Sequence, residues 1–395
     1  MGAVLVLSAI VAQVSSEPAS FRAGVALVQE GRLEEAERAF LEALAESPSH
    51  APSSVALARL YSRSERFLDA RRTLEEGLLH HPRGIVLLNE LGSLLLAANH
   101  ASEAVPHFQR ALAVQGENPR ARAGLARSLF AAGEAAYSLN RDVEAAELLE
   151  GAASLSPVDA PAWILLGKIH YRRADHERAR GAFERALEAD PASEEARFYL
   201  GEIDRAALRF EEAVGHYQSS SSVESLRGLA QALQKLERYD EAEEALENAL
   251  SLSTDPETFY LLGSLLLEKG ETDDAVAALV KARALDPHHL EARYLLGTLL
   301  ARLGRVEDAR EELDTFRKLK SFEEEKEKLA VAILERPGEA DSYRPLIQLY
   351  HEHGRDREAL PYLEKALQLA PEDPELLDLR RRIQDDRGAP GKTRC

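Results

Sequence analysis

The sequence is poor in cysteine, and its single cysteine, Cys395, is the last residue. A disulfide within the chain and a cysteine-rich zinc site are therefore excluded. Aromatic residues are also scarce, at 6% of the chain, whereas alanine, leucine and glutamate dominate. This composition favours packed helices over strands.

Positive charge is in the minority. The chain has 49 Lys and Arg against 68 Asp and Glu, a formal net charge of −19. Because a surface that binds nucleic acid needs an excess of positive charge, no DNA or RNA partner is expected. The excess of carboxylates is interpreted as a solvated outer face.

Long apolar runs are absent after the first residues. Residues 3–12 are apolar but too few to span a bilayer, and small residues follow up to Ser16. This segment resembles a secretory signal peptide, although no Lys or Arg precedes it. We therefore expect residues 1–16 to direct export to the periplasm or the medium. The protein is not expected to be an integral membrane protein. The alternative is a cytoplasmic chain, in which the start codon is wrongly assigned or the first apolar residues form a helix that caps the first repeat.

What the sequence does contain is a repeat. Alanine recurs at a near-constant interval, and five of the nine gaps between successive alanines are 34 residues long. Four residues after each alanine comes a large apolar residue. These alanines are Ala36, Ala70, Ala104, Ala145, Ala179, Ala213, Ala242, Ala275, Ala309 and Ala359. A fixed period of this size predicts a stacked array, which offers a long surface rather than a central pocket.

The most regular repeat, residues 160–193, carries Trp163, Leu166, Gly167, Ala179, Phe183, Ala186 and Pro191. In this pattern the chain resembles the tetratricopeptide repeat family, with His170 where the family has tyrosine. The resemblance implies an all-α fold, a right-handed superhelical solenoid of ten hairpins, each with a helix A and a helix B. On this frame the repeats are 17–50, 51–84, 85–118, 126–159, 160–193, 194–222, 223–255, 256–289, 290–323 and 340–373.

Glycine or alanine occupies position 8 of nine repeats, where we expect close approach of helix A to helix B of the same repeat. Large residues, including those at position 24, are expected to fill the space between repeats. Residues 119–125 are predicted to lengthen helix A of the fourth repeat, because seven residues are almost two helical turns. The Lys- and Glu-rich run 318–328 is predicted to extend helix B of the ninth repeat, before Pro337 and Gly338 break it.

These observations give a domain organisation. After residues 1–16, repeats one to six occupy 17–222, and the serine run 219–222 ends a shortened sixth repeat. Repeats seven to ten occupy 223–373, with a helical insertion at 324–339. A capping helix is predicted at 374–386, because terminal repeats need a cover for their exposed face. Residues 387–395 are expected to be disordered.

A search for catalytic and metal motifs finds none with the spacing that such sites require. The histidine pairs at 80–81 and 288–289 are interpreted as residues of surface turns. Residues 388–393 contain glycines and a Lys-Thr pair, but two residues separate the glycines where a phosphate loop needs four. We therefore expect no enzyme, no cofactor and no metal site.

The candidate binding face is implied by the resemblance, which places positions 2, 5, 9, 12 and 13 of each repeat on the inner, concave side. Aromatic and basic residues recur at these positions, as apolar anchors and orienting charges of a peptide groove would. The alternative is that position 5 packs against the next helix A as a seam. The candidate residues are Phe130, Tyr137, Lys168, Tyr171, Arg172, Phe198, Arg205, Arg227, Tyr260 and Tyr294.

One specialised binding mode of the family is not expected. Members that dock chaperone tails clamp a C-terminal carboxylate with Lys, Asn and Arg, and the corresponding positions here include Phe21, Val25, Ala56, Val86 and Glu90. The predicted function is a non-catalytic scaffold that binds a peptide or partner protein along its concave face, without a nucleic acid or a small-molecule cofactor. The alternative is an accessory or regulatory subunit of an envelope enzyme or of a polysaccharide or secretion machine.

Overall fold

The computed structural model describes residues 17–156 and 160–387, and all regular structure in these residues is helical. Twenty-one α helices follow one another in this part of the chain, with one 3-10 turn at Ala340–Ser342. The α helices are α1 Ala19–Gln29, α2 Leu33–Glu46, α3 Ala51–Arg63, α4 Phe67–His80, α5 Ile85–Ala97, α6 Ala101–Val114, α7 Pro119–Ser138, α8 Asp142–Leu155, α9 Ala160–Arg172, α10 His176–Ala189, α11 Glu194–Ala206, α12 Phe210–Tyr217, α13 Val223–Lys235, α14 Tyr239–Leu252, α15 Pro256–Lys269, α16 Thr272–Leu285, α17 Leu290–Arg302, α18 Val306–Glu335, α19 Arg344–Glu352, α20 Asp356–Leu369 and α21 Pro374–Arg387.

The helices α1 to α20 pair into ten consecutive hairpins, and α21 follows the last. We call the first helix of each hairpin, which has an odd number, the A helix and the second the B helix. The expected all-α repeat fold is confirmed. The proposed signal peptide at 1–16 and the residues 388–395 of the expected tail lie outside the described residues.

Contacts divide the chain into two compact units, Met1–Ser221 and Ser222–Cys395. The N-terminal unit holds α1 to α12, and its last helix has only eight residues. The C-terminal unit holds α13 to α21. Within each unit, every B helix packs against the A helix of the next hairpin, so that neighbouring hairpins share a continuous core.

In seven of the ten hairpins, a glycine of the A helix receives a large side chain of the B helix. A Cβ atom added to Gly167 would lie 2.6 Å from the ring of Phe183, and one added to Gly201 would lie 2.5 Å from the ring of Tyr217. Phe183 and Tyr217 occupy position 24 of their own repeats. The expectation that position 24 fills the space between repeats was therefore incomplete, because this residue first fills the space left by the glycine of its own A helix.

We expect Gly167→Leu to lower the free energy of unfolding by about 1–3 kcal/mol, because the added side chain overlaps Phe183 in a packed core. Gly181, on the exposed side of α10, is a matched control, since a Cβ atom there meets nothing within 4 Å. Urea denaturation of both leucine variants measures the difference. Equal midpoints for Gly167→Leu and the wild type would contradict the close approach of α9 and α10.

The two insertions lengthen helices, as predicted. The helix α7 has 20 residues and starts at Pro119, and α18 has 30 residues and ends at Glu335. At the end of the C-terminal unit, α21 packs on α20, and its Leu376 and Ile383 are fully buried.

Candidate partner-binding surface

The A helices form the inner face of the N-terminal unit. The helix α3 packs against α5, and the same contact recurs between α5 and α7, α7 and α9, and α9 and α11. No comparable contact joins successive B helices of the described chain. A row of hairpins that touch on their A side curves toward that side, so a partner on the inner face meets A helices.

The aromatic and basic candidates of the fourth and fifth hairpins lie together on this face. The ring of Tyr137, on α7, has the Arg172 guanidinium 4.6 Å and the Lys168 ammonium 5.9 Å from its centroid. Both cations come from α9. The structure thus brings three of the predicted residues into one cation–π cluster, an arrangement that favours a fixed ring orientation.

A second group of rings continues this surface on α9 and α11. The rings of Tyr171 and Tyr199 meet edge to face at 5.3 Å, and Phe198 meets Tyr199 in the same way at 5.3 Å. Tyr199 also stacks on Phe183 at 4.9 Å. Tyr199 is half-buried and joins the inner-face rings to the core, yet sequence analysis missed it, because it occupies position 6, outside the expected inner positions.

The basic candidates of this region are paired rather than free. Lys168 forms an ion pair with Glu195 at 2.9 Å, and Arg172 forms one with Asp142. Arg205 binds Glu202 at 2.6 Å. Burial lowers the pKa of Lys168, but the pairing with Glu195 outweighs it and holds that pKa above its ordinary value. The pairs of Lys168 and Arg172 therefore join neighbouring helices, whereas Arg205 and Glu202 lie on the same helix α11. That these cations orient a bound peptide stays a prediction.

Two aromatic residues of this region belong partly to the core. Phe130, at position 5, is half-buried against the core of the fourth and fifth hairpins. This is the arrangement expected if position 5 packs between neighbouring hairpins rather than facing a partner. Tyr217 is fully buried, and its hydroxyl donates a hydrogen bond to Glu202 at 2.5 Å. Burial is the main cause that raises the pKa of Tyr217, and the bond to the carboxylate raises it further.

The candidates of the C-terminal unit are spread over separate contacts. Arg227 pairs with Asp255 at 3.3 Å, and the ring of Tyr260 lies 5.2 Å from that of His289. His289 is buried at the start of α17 and pairs with a glutamate, so its interpretation as a surface turn residue was wrong. Tyr294 is 53% exposed, and its ring centroid lies 5.1 Å from that of Phe316.

Comparison with known proteins agrees with this geometry. Tetratricopeptide repeat models match residues 27–85, 89–138, 130–194, 260–323 and 348–373, which together cover most of the chain. The chain belongs to the tetratricopeptide repeat family. A model described as anaphase-promoting complex, cyclosome, subunit 3 matches residues 175–249.

Individual relatives of this tetratricopeptide repeat chain are distant. It is 27% identical over 165 residues to protein O-mannosyl-transferase TMTC1 of Mus musculus, a match that covers 42% of the chain and 17% of the relative. The Homo sapiens protein of the same name is 26% identical over 182 residues, covering 46% and 20%. The chain thus spans a fifth or less of the length of these relatives. The solved structure of Naa15/Naa10 bound to HypK-THB covers 93% of this chain and 61% of that chain, at 18% identity and a TM-score of 0.46.

Sequence analysis also missed an ionic chain across the tetratricopeptide repeats of the N-terminal unit. Arg59, on α3, binds Glu90, on α5, through two hydrogen bonds of 2.7 and 2.9 Å. Arg120, on α7, binds the same carboxylate at 2.8 Å. A sequence signal for this contact existed, because Arg59 lies at position 9, one of the positions expected on the inner face. The candidate residues were chosen starting from the aromatic residues of position 5, so Arg59 was not among them.

Two further kinds of feature, metal-ligand clusters and membrane-spanning helices, were sought in the described residues. In residues 17–156 and 160–387, no three His, Cys, Asp or Glu side chains are grouped as metal ligands. No helix in the same ranges combines the length and apolar character needed to cross a membrane.

Proposed function

We propose that the chain is a non-catalytic interaction scaffold that binds a segment of a partner protein along the inner face of its A helices. The observation that carries the proposal is the row of half-exposed tyrosines on adjoining A helices: Tyr137, Tyr171 and Tyr199. Tyrosine supplies a large contact area with little loss of conformational entropy and is enriched among residues that dominate binding energy.

The electrostatics of this surface support binding rather than chemistry. The hydroxyls of Tyr171 and Tyr199 are protonated at neutral pH, as in an ordinary tyrosine, and burial raises their pKa values further. They therefore act as hydrogen-bonding groups. The nearby Lys168 is held in its charged form by Glu195, so it acts as an ion-pair partner within this surface.

We expect the double variant Tyr137→Ala and Tyr171→Ala to bind inner-face peptides about tenfold or more weakly, because interface tyrosines carry a large share of binding energy. Peptides selected by the wild-type chain from a random display library provide the ligands, and fluorescence anisotropy measures the affinity. Circular dichroism checks that the helical content is unchanged.

Leu79→Ala is the matched control, since Leu79 is 80% exposed on the B helix α4. This variant should bind as the wild type does. Unchanged affinity of the double tyrosine variant, with full helical content, would remove these rings from the interface.

A second candidate function is that of a subunit or segment associated with a glycosyl transferase. The similarity to protein O-mannosyl-transferase TMTC1 favours it, although the match is partial. Co-purification of the full chain with a membrane transferase, lost in the double tyrosine variant, would support this candidate.

We also propose that residues 1–16 direct export. N-terminal sequencing of the protein recovered from cell fractions tests this. A mature protein that starts after residue 16 outside the cytoplasm would support export, and a cytoplasmic chain with an intact N-terminus would contradict it.

A further inference from the structure

Charge is divided unequally between the two layers of the N-terminal unit. Its six A helices carry ten Lys and Arg against six Asp and Glu, whereas its six B helices carry seven against eighteen. The contrast is sharpest in the first five hairpins, whose A helices hold eight basic residues and two acidic ones. The layer of A helices, which forms the inner face, thus carries an excess of basic residues in an acidic protein, and this excess favours an acidic partner.

Two neighbouring cavities open on this basic face, each with a volume of about 280 Å³. The first lies between the hairpin of α1 and α2 and the helix α3, and the second between the hairpin of α3 and α4 and the helix α5. Arg59 and Arg63 line both. The two cavities therefore form one groove, which we call the α3 groove, with both arginines at its middle.

The α3 groove also exposes large apolar side chains. Val25 and Leu33 line its first cavity and Phe67 its second, and their exposed fractions are 37%, 38% and 42%. Leu33 and Phe67 occupy the same position, 17, in successive repeats. Exposed apolar side chains that line a concave surface are typical of an interaction site.

The protein's own carboxylate already occupies part of this basic surface. Burial would raise the pKa of Glu90, but its bonds from Arg59 and Arg120 outweigh burial and hold that pKa below its ordinary value. Two guanidinium groups thus share one carboxylate. Arg63 forms no ion pair within the described part of the chain.

We propose that the α3 groove binds an internal acidic segment of a partner protein, with its carboxylates on Arg59 and Arg63 and its apolar side chains in the two cavities. This inference rests on the proposed function and names the chemistry of its partner. A carboxylate of the partner competes with Glu90 for Arg59. Residues 1–16 do not fit as the occupant, because they contain no carboxylate.

The test begins with a selection of peptides from a random display library. The selected peptides are then synthesised with blocked C-termini for the binding assays, so that a terminal carboxylate cannot contribute to binding. We expect the wild-type chain to enrich peptides that combine Asp or Glu with Leu or Phe. Anisotropy titrations should then show about tenfold or more weaker binding to the double variant Arg59→Gln and Arg63→Gln. Binding should also weaken when Gln replaces the Glu of the peptide, and when the salt concentration rises.

Glu90→Gln is expected to change the affinity for acidic peptides in the opposite direction. It removes the internal competitor and keeps the side-chain shape, so acidic peptides should bind more tightly than to the wild type. The control is Arg71→Gln with Arg72→Gln, a pair of exposed arginines on the B helix α4, which should leave affinity unchanged.

The outcomes separate this inference from the proposed function. If the selected peptides bind the Arg59 and Arg63 variant with wild-type affinity but bind the Tyr137 and Tyr171 variant more weakly, the acidic groove is wrong and the scaffold function stands. A self-association of the chain that the Arg59 and Arg63 variant abolishes would overturn the peptide assignment in favour of a second copy. No enrichment of any peptide would overturn both.

Discussion

Phe108→Ala is expected to lower the free energy of unfolding of the N-terminal unit by about 3–5 kcal/mol, the range for truncating a buried phenylalanine. Phe108 is fully buried on α6. Cβ atoms added to Gly92 of its own hairpin or Gly124 of the next would lie under 3 Å from its ring. One ring therefore fills the gaps left by two glycines, on α5 and α7, and its loss opens a cavity at the junction of two hairpins.

Hydrogen exchange followed by mass spectrometry measures this effect locally, because each hairpin of a solenoid contacts only its neighbours. Amides of α5 to α8 should exchange about a hundredfold or more faster in the variant, since 1.4 kcal/mol corresponds to a factor of ten. Phe67→Ala is the control, as Phe67 is 42% exposed on α4. Equal protection in the wild type and Phe108→Ala would contradict the packing described.

Asp204→Ala is expected to lower the free energy of unfolding by about 3 kcal/mol, because it removes the buried partner of several cationic groups. The Asp204 side chain is 2% exposed and binds Arg180 at 2.5 Å and Arg209 at 2.8 Å. His216 lies 3.4 Å away. Since Arg180 belongs to α10 and Asp204 to α11, the carboxylate joins the fifth hairpin to the sixth.

Two measurements check this second prediction. Amides of α10 to α12 should lose protection, whereas Glu188→Ala, which removes an exposed partner of Arg185, should change little. NMR titration should also show a lower pKa for His216, because burial already lowers that pKa and Asp204 is the main group that opposes the shift. An unchanged His216 pKa with unchanged protection would show that Asp204 does not hold the two hairpins together.

Much of the fold was predictable from the sequence because its determinants are local. The glycines of position 8, such as Gly167, and the rings of position 24, such as Phe183, recur at fixed spacing within one repeat. The lengths of α7 and α18 followed from counting residues between repeats. Each of these features concerns side chains that are close in sequence or separated by one constant interval.

The surface was less predictable, because it depends on contacts between repeats. The pairing of Lys168 with Glu195 and of Arg59 with Glu90 joins residues 27 and 31 apart in the sequence, so no single spacing identifies such pairs. The same limit applies to Tyr199, whose role depends on rings from both α9 and α10. The cavities of the α3 groove depend on which side chains leave space, which a residue pattern does not describe.

Site-specific photocrosslinking tests most directly whether a partner lies along the inner face of the A helices. A photoreactive phenylalanine derivative is placed at Ser93, which lines the α3 groove, and separately at Leu79, on the outer B helix α4. We expect a peptide selected by the wild-type chain to crosslink at position 93 and not at position 79. Crosslinking at position 79 with none at position 93 would contradict this placement of the partner.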